Sequence, residues 1–282
     1  MALTGTDRGV GTHNTSALSF TLSPASNFTA GAMAVICLSV DNSDSSGNAH
    51  STFTVTDTLG NTWTRRVSPL HDPGAASAGV EGAMFTTPQN GGTLQTGTVI
   101  TVTFDANCTA KAWTLMEVVG SVGTPTFQSS GVGTGSTTAS PTVTSSSIPN
   151  GYMIIGGVFN EQGTGQTPTG DSDTTNGSWS TMQTNEIGTT AAGQTIITQR
   201  KIVTAAGAQT YNPTLGTSSD VIAAWISISE NVIADKTNTS ISRIQKTIDA
   251  TLSSIGRLQK TVDTTNTSIG RIQVIQNRTS TS

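Results

Sequence analysis

MAVICLSVDN, residues 33–42, is the stretch that decides the fold, and it recurs in altered form as YMIIGGVFNE at residues 152–161. Both runs are mainly apolar, and Gly, Asn or Asp residues flank them. A short apolar run between turn-forming residues predicts a buried β-strand. Its recurrence later in the chain indicates that one β-unit is present twice.

Three further matches support a duplicated unit. In chain order they pair GVGT (9–12) with GVGT (131–134), GNTWT (60–64) with NGSWS (176–180), and AWTLME (112–117) with AWISISE (224–230). The tryptophans of the chain thereby form two pairs, Trp63 with Trp179 and Trp113 with Trp225. The spacing between partners falls from 122 to 112 residues along the chain, as small deletions in the second copy would produce.

The remaining pattern is typical of an all-β protein. Seven runs in the first unit are short, rich in Val, Thr, Phe and Trp, and separated by turn-forming residues: 17–22, 33–40, 52–57, 61–67, 82–87, 98–104 and 112–119. Strands at this spacing, without helical periodicity, predict a β-sandwich or jelly roll. We therefore expect two tandem duplicated β-sandwich units, at residues 1–121 and 122–232, followed by a separate segment at 233–282.

That C-terminal segment repeats every 14 residues, with Asp235, Asp249 and Asp263 opening the three copies. Fourteen residues are two heptads, and the a and d positions form an apolar seam, the signature of a coiled coil. β-branched residues at both positions favour three or more strands. The sequence thus predicts a homotrimeric stalk whose oligomerisation seam consists of Ile241, Ile244, Ile248, Ile255, Leu258, Val262, Ile269 and Ile272.

Two other structures for this segment stay open. Gly256 and Gly270 each cost about 1 kcal/mol relative to alanine in a helix, and the g positions hold only Ser or Thr. An isolated helix of this sequence is not expected to be stable in water. Because Ile241, Arg243 and Gln245 also lie at alternating positions, a three-chain β-structured shaft is one alternative. A linker without fixed structure is the other.

Composition and charge argue against several kinds of partner. Only 11% of residues are charged, against about 25% in ordinary soluble domains. Residues 1–234 carry six Lys/Arg and fourteen Asp/Glu, a net charge of −8, whereas residues 235–282 carry seven and three, a net charge of +4. An acidic body lacks the basic surface that nucleic-acid binding needs. No apolar run is long enough to predict a membrane span, and MALTGTDRGVG does not resemble a secretory signal.

The sequence offers no recognisable catalytic arrangement, and we expect a non-enzymatic protein without cofactors. His13, His50 and His71 fall in loop-like stretches, where a surface position is expected. No nucleophile elbow or zinc-ligand spacing is present. Cys37 and Cys108 are expected to be free, buried thiols, because a protein assembled in a reducing compartment does not normally form disulfides.

Two weaker signals concern ligands. Asp171, Asp173 and Asn176, followed by a glycine, resemble the start of a calcium loop but lack its later acidic ligand, and turn geometry alone also explains such residues. They are candidates, but no metal is expected. Trp179 and Tyr211 are candidate ligand-contact residues if the chain binds a host surface glycan.

The stretch TFTVTDTLGNTWTRR, with VITVTF and AWTLMEVVG later in the chain, resembles a β-sandwich type found in phage and prophage structural proteins. The likeness covers much of residues 33–119 and, more loosely, the second unit. It implies a virion component that displays trimeric β-heads, and it transfers no functional residue.

The expected function is therefore that of a bacteriophage virion structural protein: a trimeric tail or head fibre, or a capsid decoration protein. Its expected partners are its own copies and other virion proteins. We expect it to assemble in the host cytoplasm and to be found in the virion. The alternative is an adhesin that recognises host cell-surface carbohydrate.

Overall fold

The computed structural model describes residues 3–41, 50, 52–74, 78–163, 165–188 and 193–231. These residues form fifteen β-strands and no α-helix, which confirms the prediction of an all-β protein with antiparallel sheets. Within the same residues, no helix has the length and hydropathy to span a membrane. The described residues belong to one compact unit, Met1–Ile233. The predicted heptad seam lies outside them.

Seven strands come from the first half of the described chain: β1 (Thr4–Leu22), β2 (Met33–Asp41), β3 (Phe53–Asp57), β4 (Thr64–Val67), β5 (Leu70–His71), β6 (Val80–Thr87) and β7 (Ile100–Val119). Eight come from the second half: β8 (Thr124–Val132), β9 (Ser136–Thr138), β10 (Val143–Ile148), β11 (Met153–Asn160), β12 (Gln183–Ile187), β13 (Gln194–Ile202), β14 (Gly207–Tyr211) and β15 (Ser219–Asn231).

Each half builds one large antiparallel sheet. Sheet A has the order β1-β7-β2-β6-β4, with β3 paired to β7 and β5 paired to β6. Sheet B has the order β12-β13-β11-β15-β8, with β9 paired to β15, and β10 and β14 form a separate two-stranded sheet. Taken from its other end, sheet B reads β8-β15-β11-β13-β12. These strands occupy the same places, in the same chain order, as β1, β7, β2, β6 and β4 in sheet A.

The two sheets also share local irregularities. One extra residue, Arg8 in β1 and Gln128 in β8, interrupts the ladder at the corresponding place. An insertion of one residue is a β-bulge, which bends the strand and increases its twist. Because β1 and β8 are edge strands, both bulges distort an edge in the same manner.

Each large sheet carries one tryptophan across a glycine of its edge strand. Trp113 of β7 lies opposite Gly11 of β1, and Trp225 of β15 lies opposite Gly131 of β8. A Cβ atom added to either glycine would overlap the indole. Both tryptophans are buried.

The predicted alignment of the two quoted runs, 33–42 and 152–161, is wrong by one residue. It matches Val35, which lies in the core between the two sheets, with Ile154, which lies on the opposite face of sheet B. Successive side chains of a strand point to opposite faces, so a shift of one residue exchanges the faces. In the structure, Leu38 and Gly156 are counterparts, because each lies opposite the tryptophan of its own sheet.

Three apolar cores hold the halves. One lies on the outer face of sheet A and one on the outer face of sheet B, each formed within its own half. The third lies between the sheets and contains side chains from both halves, among them Met33, Val35, Met84, Met116, Ile155, Phe159, Ile196 and Ile226. Burial of this apolar area is the main force joining the two sheets.

The sheets face each other with an approximate two-fold relation. Strand β12, at one edge of sheet B, lies against β1, while β8, at its other edge, lies against β4. Since β12 is the counterpart of β4, and β8 is the counterpart of β1, the two contacts are equivalent. This is the arrangement of an isologous dimer interface, here within one chain.

Cys37 and Cys108 are free and buried, which confirms the expectation for both. Desolvation raises the pKa of each thiol to about 12. Both therefore remain protonated near neutral pH and make poor nucleophiles or metal ligands.

Candidate functional site

The two predicted ligand-contact residues lie together in the interior. Trp179 forms an isolated bridge with Lys201, and Tyr211 ends β14. They are 8% and 1% exposed, and their ring centroids are 4.7 Å apart. The tyrosine ring fills the space above Gly156, which has no side chain of its own. A sugar could stack on neither ring without opening the outer core of sheet B.

The three candidate calcium ligands serve turns instead. Asp171 accepts hydrogen bonds from the backbone N–H groups of Asp173 (2.7 Å) and Asn212 (2.9 Å). Asp173 accepts one from the N–H of Thr175 (2.9 Å). Asn176 has a φ of 57°, a left-handed conformation that asparagine tolerates better than most residues. The carboxylates are thus used in local turns.

A lysine already supplies a positive charge beside these carboxylates. The Lys201 side chain is fully buried, and its Nζ lies 2.8 Å from the carbonyl oxygen of Thr175 and 3.4 Å from Asp173 Oδ2. The same Nζ lies 5.2 Å from the centre of the Trp179 ring, within cation–π range. Hydrogen bonds from Thr175 and then the charge of Lys201 lower the pKa of Asp173.

The first half contains a turn with the same sequence spacing. Asp57 accepts hydrogen bonds from the N–H groups of Leu59 (2.8 Å) and Asn61 (3.2 Å), and from Trp63 Nε1 (2.7 Å). Gly60 occupies the left-handed position, with a φ of 74°. Asn61 in turn accepts hydrogen bonds from two N–H groups of the neighbouring loop, at residues 91 and 92. The motif locks a hairpin and its neighbour.

The calcium-like spacing is therefore the second occurrence of this turn. DTLGNTW at residues 57–63 and DTTNGSW at residues 173–179 align without a gap. In both, the aspartate accepts a hydrogen bond from the N–H two residues later. The match of the tryptophans already contained this signal, but extending it back to the aspartates was needed to find it.

The prediction that the histidines lie in surface loops is wrong, because His13 lies in β1 and His71 in β5, and His50 is buried. This residue is 2% exposed, and Glu81 accepts hydrogen bonds from its backbone N–H (2.7 Å) and contacts its Nδ1 (2.8 Å). The imidazole also lies 4.9 Å from the ring of Phe104, between ring centroids. His50 and Glu81 form a buried pair within the first half.

His71 takes part in a second acidic contact, which joins the halves. Its Nε2 lies 3.4 Å from Asp220 Oδ1, and each side chain is 15% exposed. Glu161 lies beside Asp220, and its Oε2 accepts a hydrogen bond from the backbone N–H of Gly79. We call the junction between the two halves the seam, and we name His71, Glu161 and Asp220 the seam cluster. It is polar, largely buried, and drawn from both halves.

Burial raises the pKa of Glu161 to about 8, and Asp220 and Asp41 add to this rise, while the hydrogen bond from Gly79 opposes it. Two carboxyl groups at such proximity do not readily both ionise. The seam cluster can therefore hold a proton at neutral pH. The described residues contain no group of three or more His, Cys, Asp or Glu able to bind a metal.

A shallow cleft lies at a different part of the seam. It has a volume of about 180 Å³ and is lined by Leu3, Gly5, Met153, Ser178, Ser180, Arg200, Lys201 and Ile202. Its two charged groups are already paired, Arg200 with Asp7 at 2.6 Å and Lys201 with Asp173 at 3.4 Å. The cleft therefore does not bring the acid and histidine of the seam cluster to a substrate.

The fold and this seam define an antiparallel all-β protein in which two similar sheets share one core. No family model, curated protein or solved structure matches the chain. The functional inference consequently depends on the chain's own residues.

Proposed function

We propose that this chain is a non-enzymatic bacteriophage virion structural protein, either a trimeric tail or head fibre or a capsid decoration protein. In this proposal, two duplicated β-sandwich units form the displayed body, and residues 233–282 form a trimeric coiled-coil stalk. The observation that carries the proposal is the 14-residue repeat with its apolar a/d seam, attached to an acidic all-β body. The proposal includes assembly in the host cytoplasm and a location in the virion.

Shared features of the halves support the duplicated units. Sheets A and B have the same strand order, a bulge at the same place, and a tryptophan across a glycine. The turn that Asp57 closes in the first half occurs again at Asp173 in the second. Duplication of one unit explains all four shared features more simply than four independent similarities do.

The chemistry of the described residues also supports a structural role. The histidines and acids that come together are buried in pairs or tied to backbone N–H groups. General acid–base catalysis needs such groups within hydrogen-bond reach of a substrate. A body with these groups enclosed is better suited to display and assembly.

Trimerisation would give the body its effect through effective concentration. Three heads on one stalk bind a repeated surface with a greater avidity than one head, without any new contact. The glycan-binding alternative loses its two candidate residues, since Trp179 and Tyr211 are enclosed.

The solution mass by light scattering tests the proposal. The full chain is expected to have the mass of three chains, and a chain ending at residue 233 the mass of one. In the full chain, Ile255→Asp places a charge in the seam and should abolish the trimer, whereas Ser253→Asp, at an outer heptad position, should leave it intact. A monomeric full chain, or a trimer that survives Ile255→Asp, would refute the stalk.

A further inference from the structure

We propose that the seam cluster is a proton-controlled latch, which holds the two halves together while it carries a proton and loosens one end of the seam when the proton leaves. This inference does not depend on the virion role. It rests on which residues of the two halves meet at this end of the seam.

Both halves contribute to the latch. His71 in β5 and the N–H of Gly79 come from the first half, whereas Glu161, directly after β11, and Asp220 in β15 come from the second. Thr137 of β9 donates a hydrogen bond from its hydroxyl to Asp220. A change of charge on Glu161 or Asp220 therefore acts across the seam rather than within one half.

The charges facing Glu161 are mostly negative. Asp220 from β15 and Asp41 from the end of β2 both act on it. His71 contacts Asp220. Lys111 of β7 interacts with Asp41 and directs its ammonium to the carbonyl oxygens of Thr15, Cys108 and Thr109. Glu81 of β6 is turned towards His50. Ionised Glu161 therefore lies near two further acidic side chains, one from each half.

The contacts around the latch are polar. Ser39 of β2 donates its hydroxyl hydrogen to Gln194 Oε1 of β13 at 2.9 Å, and the N–H of Asn160 donates to the Ser39 oxygen at 3.3 Å. Asn160 also accepts a hydrogen bond from Ser219. The shared apolar core reaches this end of the seam at Val80 and Phe159 and continues between the two sheets. This end of the seam can open locally while that core keeps the halves together, because local openings need less free energy than global unfolding.

The sign of the pH dependence follows from the raised pKa. Folded Glu161 keeps its proton up to about pH 8, whereas an unfolded glutamate loses it near pH 4.3. The folded chain therefore binds more protons than the unfolded chain between these values. By linkage, the latch is strongest in acid, and its contribution is lost as the pH rises to about 8.

Hydrogen exchange of the full chain, read at the Gly79 amide, tests the latch. From pH 6 to pH 9, after correction for intrinsic exchange, the protection factor of Gly79 is expected to fall at least tenfold in the natural chain. In Glu161→Gln, which cannot ionise, it should change less than twofold. Glu186→Gln, a matched change in β12, should behave like the natural chain. The same fall in Glu161→Gln, or an unchanged protection factor in the natural chain, would overturn the latch.

A second measurement does not depend on any variant. The carboxyl ¹³C shift of Glu161 in the full chain is expected to titrate with a midpoint near pH 8, well above the value of about 4.3 for an unfolded glutamate. A midpoint below pH 5 would show that the acid is ionised at neutral pH and would overturn the proposal.

Discussion

The turns at residues 57–63 and 173–179 share a sequence pattern but use their aspartates differently. In the first half, Asp57 accepts a hydrogen bond from the indole of its own Trp63, which is only half-buried. In the second half, the corresponding Trp179 is buried, and Asp173 pairs instead with Lys201. The indole N–H of Trp179 has no hydrogen-bond partner among the described residues.

This difference shows which part of the motif is needed for the turn. The hydrogen bond from the aspartate to the N–H two residues later is present in both halves, whereas the indole contact is present in one. An aspartate that closes such a turn mimics a backbone turn with its side chain. The second carboxylate oxygen is then free to take a partner that suits the neighbouring core, an indole in one half and an ammonium group in the other.

The largest expected effect concerns the tryptophans that lie across glycines. We expect Trp113→Ala and Trp225→Ala each to reduce the free energy of unfolding by about 3–5 kcal/mol, because each leaves a cavity in a buried site. Urea denaturation measures both, with Trp63→Ala as a half-buried control that should cost less. Losses that differ by more than twofold between Trp113→Ala and Trp225→Ala would show that the two sites are not energetically equivalent.

An intermediate effect is expected from the turn aspartates. Asp57→Ala removes the acceptor for two N–H groups and one indole, and should cost about 2 kcal/mol. Asp173→Ala should cost about 1 kcal/mol, since that carboxylate is one-third exposed and Lys201 keeps the Thr175 carbonyl.

Salt separates the two aspartates further. The Asp173–Lys201 interaction is between opposite charges, so the cost of Asp173→Ala should shrink between 50 mM and 1 M NaCl. The cost of Asp57→Ala, whose partners are N–H groups, should change less. Denaturation at both salt concentrations measures this, and an equal salt response of the two variants would contradict the assigned partners.

The sequence predicted which segments form strands better than it predicted the register of those strands and the face on which each side chain lies. Runs such as 33–40 and 82–87 form β2 and β6 in the structure. Strand formation depends on a local pattern of residues, which the sequence shows directly. The one-residue error in aligning 33–42 with 152–161 matched side chains that lie on opposite faces of their sheets. A local match between similar apolar residues does not determine the register of a strand, which depends on pairing with its partner strand.

The sequence also could not predict which residues meet at the junction between the two halves. His71, Glu161 and Asp220 are far apart in the chain, and nothing in their neighbouring residues marks them as partners. His50 was expected at the surface because its segment lacks strand periodicity, yet Phe104 and Glu81 enclose it. Burial of an isolated polar residue depends on tertiary packing, which local pattern does not report.

The smallest expected effect compares the two arginines that cross the seam. Arg200 pairs with Asp7 of β1, while Arg66 lies 4.3 Å above the ring of Phe127 in β8. Asp7 and Phe127 immediately precede the two bulges, so the arginines reach equivalent sites by different means. Arg200→Gln and Arg66→Gln should each cost less than about 1 kcal/mol, the range for partly exposed ion pairs and cation–π contacts.

A double-mutant cycle distinguishes the two arginines despite their similar cost. In 50 mM salt, Arg200→Gln combined with Asp7→Asn should lose less stability than the two single changes together, because the second change removes a partner already absent. Arg66→Gln combined with Asp7→Asn should be additive, since those residues share no contact. Coupling of Asp7 to Arg66 as strong as its coupling to Arg200 would mean that the two ends of the seam move together. Additivity would mean that the Asp7–Arg200 and Arg66–Phe127 contacts respond independently.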